Sequence, residues 1–138
     1  MTLIDRLSKL GAPDREVDAR IWCEVNGVVY LDHYPLMHET QVFYKEKGRR
    51  KEQVSGDDIP HAALYTTSVD AAIALAERVL PGWNGDLDIG KPIADSGKMG
   101  CRIWTPESKY HNYVGEGFNS ATALLIAILR AKEASYGQ

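Results

Sequence analysis

The stretch YTTSVDAAIALAERVLPGW, residues 65–83, decides the fold that we predict for this chain. Apolar residues recur within it at helical spacing and form one apolar stripe. Thr67 and Asp70 have a spacing like that of a capping box, and Pro81-Gly82 is typical of a helix end. The stretch therefore predicts a short strand, an amphipathic helix and a sharp stop.

The part of the chain that leads into this stretch is predicted to form two helices and three strands. Thr2 and Asp5 have the spacing of a capping box, and Asn26-Gly27 has the composition of a helix stop. Pro35 removes a backbone donor and restricts the residue before it, so residues 32–35 are predicted to be a loop. Periodicity then predicts helices over 2–10 and 12–26, and strands over 28–31, 40–44 and 62–65.

The part after the stretch is rich in strand patterns and ends in an apolar helix. Alternating residues predict strands over 86–89, 99–104 and 110–114, and three strands in succession favour an antiparallel meander. Asn119 or Ser120 is predicted to cap a final helix that runs to about residue 135. Because apolar residues cover this helix on several sides, we expect it to be buried on more than one side.

Together these elements predict an α+β fold, an α-β-α sandwich in which helices cover an antiparallel sheet. The 138 residues fit one domain, 1–138, with an exposed basic loop around 45–60. Cys23 and Cys101 are predicted to be buried thiols in a reducing compartment. No apolar run approaches the roughly 20 residues that span a bilayer, and no signal-peptide pattern opens the chain. We therefore expect a cytoplasmic protein with no membrane partner.

The basic loop raises the question of nucleic-acid binding. Its cations crowd around Gly48, but acids flank them, and the net charge of the chain is −3. A nucleic-acid partner is therefore not favoured, because its phosphates need a larger positive field. The cations are Lys45, Lys47, Arg49, Arg50 and Lys51.

Metal and catalytic chemistry find little support in the residue patterns. Asp32, His33, His38 and Glu39 are potential ligands, but their spacing matches no helical zinc motif, so neither a metal nor another cofactor is expected. The chain has no G-x-S-x-G or phosphate-loop motif. His111 is a candidate acid or base, although no orienting partner is evident in the sequence.

Ligand binding is better supported, because two helices begin with hydroxyl or amide side chains. The free N–H groups at a helix start attract anions, although such residues can equally serve only as caps of their own helix. Nearby aromatic rings could stack on a base, and the basic loop could close over phosphates. The predicted ligand-binding residues are Arg49, Arg50, Lys51, Tyr65, Thr66, Thr67, Ser68, Trp83, Trp104, Tyr110, Asn112, Asn119 and Ser120.

Four stretches resemble the phage ABA sandwich domain family. They are APDREVDARI, LYTTSVDAAIALAERVLPGW, CRIWTP and EGFNSATALLIAILRAK, and they leave out the region 32–60. The resemblance implies an α-β-α sandwich encoded by a phage. It carries over no functional residue.

A phage context implies, by analogy, a role against host defence. The leading hypothesis is a homo-oligomeric protein that sequesters a nucleotide-derived immune signal, of the cyclic dinucleotide or cyclic ADP-ribose type. One alternative is a phosphodiesterase-like enzyme that degrades such a signal. The other is a non-enzymatic interaction module that binds a host or phage protein through the 45–51 loop.

Overall fold

The computed structural model describes residues 2–48, 59–87, 97–108 and 110–136. Within these ranges the chain forms four helices and six strands, and no helix is long and apolar enough to cross a membrane. The helices are α1 (Leu3–Lys9), α2 (Arg15–Asn26), α3 (Val69–Val79) and α4 (Ser120–Tyr136). The strands are β1 (Val29–Pro35), β2 (Thr40–Lys45), β3 (His61–Ala62), β4 (Asn84–Leu87), β5 (Met99–Trp104) and β6 (Asn112–Gly117).

The strands form two antiparallel sheets, in the orders β1-β2-β3 and β4-β5-β6. Helix α2 packs on the first sheet, while α4 packs on β5 and β6 of the second sheet and also contacts α3 and α1. The α+β class and the antiparallel pairing are thus confirmed, as is the predicted meander β4-β5-β6. The strands are divided between two small sheets, each with a helix on it.

Helix α4 lies against the backbone of β6 because two glycines leave room for it. A β-carbon on Gly115 would lie 2.0 Å from the carbonyl oxygen of Ala123, and one on Gly117 would lie 2.8 Å from Cβ of Thr122. The small side chains of the helix complete this close contact, and every residue from 121 to 129 is buried. The predicted burial of this helix on several sides is confirmed.

The helix ends follow the expected capping chemistry with two corrections. α2 begins at Arg15, capped by Asp14, and not at residue 12 as predicted. Thr2 and Asp5 form the predicted capping box, and Gly27 ends α2 with a φ of 69° that suits glycine. The prediction that Thr67 begins α3 was wrong: the hydroxyl of Ser68 accepts from the N–H of Ala71 at 3.1 Å. Thr67 lies one residue earlier in an exposed turn.

The boundaries of several strands differ from the predicted ones. Residues 32–35 belong to β1 and are not the predicted loop. β1 is at the edge of its sheet, so Pro35 can pair with Thr40 at the end of the strand although it has no N–H to donate. The strand β3 ends at Ala62, before the turn that leads to Tyr65. β4 begins two residues earlier than predicted. β6 begins at Asn112 and extends to Gly117, where its glycines face α4.

Both cysteines are buried thiols, as the sequence predicts. Burial raises the pKa of Cys23 to about 11, so its thiol stays protonated at neutral pH. Cys101 lies on the inner face of β5, opposite Gly115 of β6.

Candidate ligand-binding cavity

A cavity of about 270 Å³ lies between α3 and β4, and we call it the Trp83 cavity. Its walls come from one face of α3, from the consecutive residues 82–87 and from buried residues of β5 and α4. The lining residues are Ile73, Ala76, Glu77, Leu80, Gly82, Trp83, Asn84, Gly85, Asp86, Leu87, Cys101, Ile103 and Leu124.

The cavity exists because the apolar stripe of α3 is longer than the surface that covers it. Leu80 is buried, yet Ile73, which lies on the same face of α3, keeps 40% of its surface exposed. Gly85 of β4 contributes no side chain to the lining, and Ile103, with which it pairs across the strands, packs closely over it. An apolar recess therefore stays open at the C-terminal part of α3.

The indole of Trp83 forms one side of this recess. It is half-buried, and its ring centroid lies 5.9 Å from that of Tyr113, at an angle of 32° between the ring planes. This contact holds the indole in place, since offset aromatic pairs at such distances are mutually attractive. The deepest residues, Cys101, Ile103 and Leu124, are each at most 6% exposed.

The polar groups of the cavity are few. Glu77 lies on the same face of α3 as Ile73 and Leu80. It and Asp86 contribute exposed carboxylates to the lining, and Asn84 contributes an amide. Among the described lining residues there is no lysine, arginine or histidine. The site suits an apolar or flat molecule that makes a small number of hydrogen bonds, as ligand cavities in general do.

Two predicted residues, Thr66 and Asn119, meet at a different place, where the starts of α2, α3 and α4 converge. Thr66 is fully buried there, and its carbonyl accepts from Nδ2 of Asn119 at 2.9 Å. The N–H of Asp14 donates to Oγ1 of Thr66 at 2.9 Å, while the N–H of Thr66 donates to Asp18 at 2.7 Å. The predicted residues Thr66 and Asn119 thus lie together, but their polar groups form hydrogen bonds within the fold.

The caps of α3 and α4 use their own side chains. Oδ1 of Asn119 accepts from the N–H of Thr122 at 2.8 Å, as Ser68 does from Ala71. Ser120 is the first residue of α4 and is half-buried. Tyr65 is 6% exposed, and burial raises the pKa of its phenol. A ligand-binding role for these residues stays a prediction.

The other predicted aromatic residues lie away from the Trp83 cavity. Trp104 and Asn112 pair across β5 and β6 at the end of the sheet, on the face opposite to Ile103. Tyr110 is 93% exposed in the turn before β6, and His111 is exposed beside it. Of the predicted rings, Trp83 alone lines the cavity.

Some predicted residues are outside the described ranges or stand apart from one another. Arg49, Arg50 and Lys51 lie outside the described residues. Two of the four potential metal ligands have other partners, since Nδ1 of His33 bonds to the hydroxyl of Tyr30 at 2.8 Å, and Glu39 bonds to His61 at 2.9 Å. No group of three metal-ligating side chains occurs within the part of the chain that the structure describes.

Sequence reasoning missed most of the cavity. Ala76 and Leu80 are apolar residues of a helix stripe, so nothing in the sequence separates them from core residues. The signal that was available is Gly85, because a glycine within a strand often marks a place that another group approaches closely. A scan against protein-family models and searches of curated proteins and of solved structures gave no match, so the resemblance to the phage ABA sandwich domain family stays a prediction.

Proposed function

We propose that this chain is a small-molecule-binding protein whose ligand places a flat ring in the Trp83 cavity. The observation that carries this proposal is the recess itself, about 270 Å³ in volume and walled by an indole and by buried apolar residues. An engineered cavity of roughly 150 Å³ suffices for benzene, so this volume accommodates a larger ring system.

The same cavity bears on the nucleotide-derived signal that the sequence suggests. Trp83 offers a surface on which a base can stack, and stacking of a base on an aromatic ring contributes about 1–3 kcal/mol. Whole drug-sized ligands occupy roughly 300–1,000 Å³, so a cyclic dinucleotide would place one base inside and its phosphates outside. Sequestration of such a signal against host defence is the biological role that we propose on this basis, with a homo-oligomeric state and a cytoplasmic location as further predictions.

Calorimetry on a panel of nucleosides, cyclic dinucleotides and cyclic ADP-ribose derivatives tests the proposal. Binding is expected for at least one member, and it should be lost in Ala76→Leu, which fills the cavity from α3. The matched control is Ala74→Leu, because Ala74 is exposed on the same helix and does not line the cavity. Equal binding by both variants would place the ligand elsewhere, and no heat with any compound would contradict the proposal.

The fate of the ligand separates sequestration from degradation. A binding protein should release its ligand intact on denaturation, and chromatography of the released compound measures this. Recovery of a cleaved product would favour the enzymatic alternative instead.

A further inference from the structure

We infer that the edge of β4 that pairs with no described strand hydrogen-bonds to the edge of the ring that enters the Trp83 cavity. The ligand therefore presents neighbouring N–H and C=O groups, as a nucleobase does. This inference rests on the proposed function and names the chemistry that the cavity selects. In the order β4-β5-β6, β4 pairs only with β5 among the described strands.

Strand β4 borders the Trp83 cavity along its whole length. Residues 84–87 all line it, although successive side chains of a strand point to opposite faces of a sheet. Gly85 and Leu87 pair with the buried Ile103 and Cys101, so they face inward, whereas their neighbours face the other way. β4 is also the end strand of its sheet among the described strands, and residues of both faces can border one cavity along such an edge. The edge of β4 is therefore a wall of the Trp83 cavity.

The edge of β4 carries backbone N–H and C=O groups. In an antiparallel pair, alternate residues direct their N–H and C=O groups to the partner strand and the others direct them away. The outward-directed groups of β4 are unpaired by any described strand, and such edges readily bind a matching set of donors and acceptors. The strand here is short, with four residues, and suits a small partner.

Apolar side chains line the cavity beside this edge. Ile73 and Trp83 line the cavity together with residues 84–87, and Gly85 contributes no side chain to it. Ile103 covers the inner side of Gly85, since a β-carbon there would lie 3.0 Å from its Cγ2, so a flat ring would reach the backbone of β4 from the edge, with its faces against Ile73 and Trp83. Backbone hydrogen bonds would select the edge of the ring and the apolar walls would hold its faces.

Nitrogen-15 NMR titration of the full chain with uridine and guanosine tests this inference. Their matched controls are 3-methyluridine and 1-methylguanosine, in which a methyl group replaces the ring N–H next to a carbonyl. The parent nucleosides should shift the amide resonances of 84–87, and the methylated ones should bind about tenfold more weakly, because a buried unmatched polar group is costly. Indole serves as an apolar probe that lacks the N–H and C=O pair.

Different results would overturn the edge inference and the cavity proposal. Equal binding of parent and methylated nucleosides, or binding that leaves the β4 amides unshifted, would overturn the edge inference and leave the cavity proposal standing. Binding of indole without binding of either nucleoside would do the same. If neither indole nor any nucleoside binds, both proposals fail. A shift of the β4 amides on concentration of the protein alone, with a dimer in sedimentation, would assign the edge to a second copy and overturn the inference.

Discussion

The backbone N–H of Thr66 donates to Oδ1 of Asp18 at 2.7 Å, and this bond ties the turn before α3 to the first turns of α2. Asp18 is fully buried, and within the described residues its Oδ2 has no hydrogen-bond partner. Burial raises the pKa of this carboxyl to about 6, although the bonds from Thr66 act in the opposite direction. The carboxyl therefore gains a proton more easily in the folded chain than in the unfolded one.

The stability of the fold should fall as the pH rises from about 4 to about 6. The unfolded carboxyl ionises near its ordinary pKa of 3.8, whereas the folded one keeps its proton up to about 6. The difference of about 2 units corresponds to about 3 kcal/mol, which is present at low pH and lost above pH 6. Urea unfolding at a series of pH values measures this slope.

Asp18→Asn is the matched variant for that measurement, because it cannot ionise. Its unfolding free energy should change less over the same range, and at neutral pH it should equal or exceed that of the wild type. Parallel pH profiles for the two chains would contradict the assignment to Asp18.

Gly115→Ala should destabilise the fold severely. The added methyl group would lie 2.0 Å from the carbonyl oxygen of Ala123 and 2.8 Å from the nitrogen of Ala127, both backbone atoms that no side-chain rotation can move. The expected loss of unfolding free energy is about 3 kcal/mol or more. Gly11→Ala is the control, since nothing lies within 4 Å of the added atom, and its effect should be small. Similar losses in the two variants, measured by urea unfolding, would refute the close contact.

Trp83→Ala and Trp104→Ala should differ in their effect on ligand binding. The first removes an indole that lines the cavity, and the second removes one on the opposite face of the sheet. For a nucleoside that binds the wild type, Trp83→Ala should weaken binding by about 1–3 kcal/mol, with little change in Trp104→Ala. Calorimetry gives both affinities, and circular dichroism verifies that each variant is folded. A greater loss in Trp104→Ala would move the site to the outer face.

Arg15 should be necessary for the turn between β1 and β2. Its Nη1 donates to the carbonyls of Leu36 at 2.8 Å and Glu39 at 2.9 Å, and its Nη2 donates to that of Met37 at 3.4 Å. Arg15→Ala should cost about 2 kcal/mol of unfolding free energy, because charged donors to carbonyls are lost. Arg15→Lys should recover only part of this, since a single ammonium cannot match the fork of the guanidinium. Full recovery with lysine would show that charge alone suffices.

The sequence predicted the helices well because their signals are local. Thr2, Gly27 and Asn119 act within one turn of their helix, so the residue type is enough to place the boundary. The strands were less well predicted where their limits depend on distant partners. Pro35 continues β1 because β2 lies beside it, and Gly117 continues β6 because α4 needs the space.

The candidate site could be predicted only in part for a similar reason. Trp83 is recognisable as a ring after a helix stop, and Thr66 and Asn119 do meet in space. Their separation from Trp83 follows from the length of α3, since they gather at its start while the cavity lies toward its end. Sequence patterns do not reveal that Thr66 bonds to Asp14, Asp18 and Asn119, because this depends on how three helices are arranged.

The position of α4 has a consequence for the order in which the fold opens. This helix contacts the second sheet, α3 and α1, while Nζ of Lys132 donates to the carbonyl of Glu24 at the end of α2 at 2.9 Å. Its amide hydrogens between residues 123 and 129 can reach deuterated solvent only after most of those neighbours have detached. They should therefore be the slowest to exchange, and their rate should report the global unfolding of the chain.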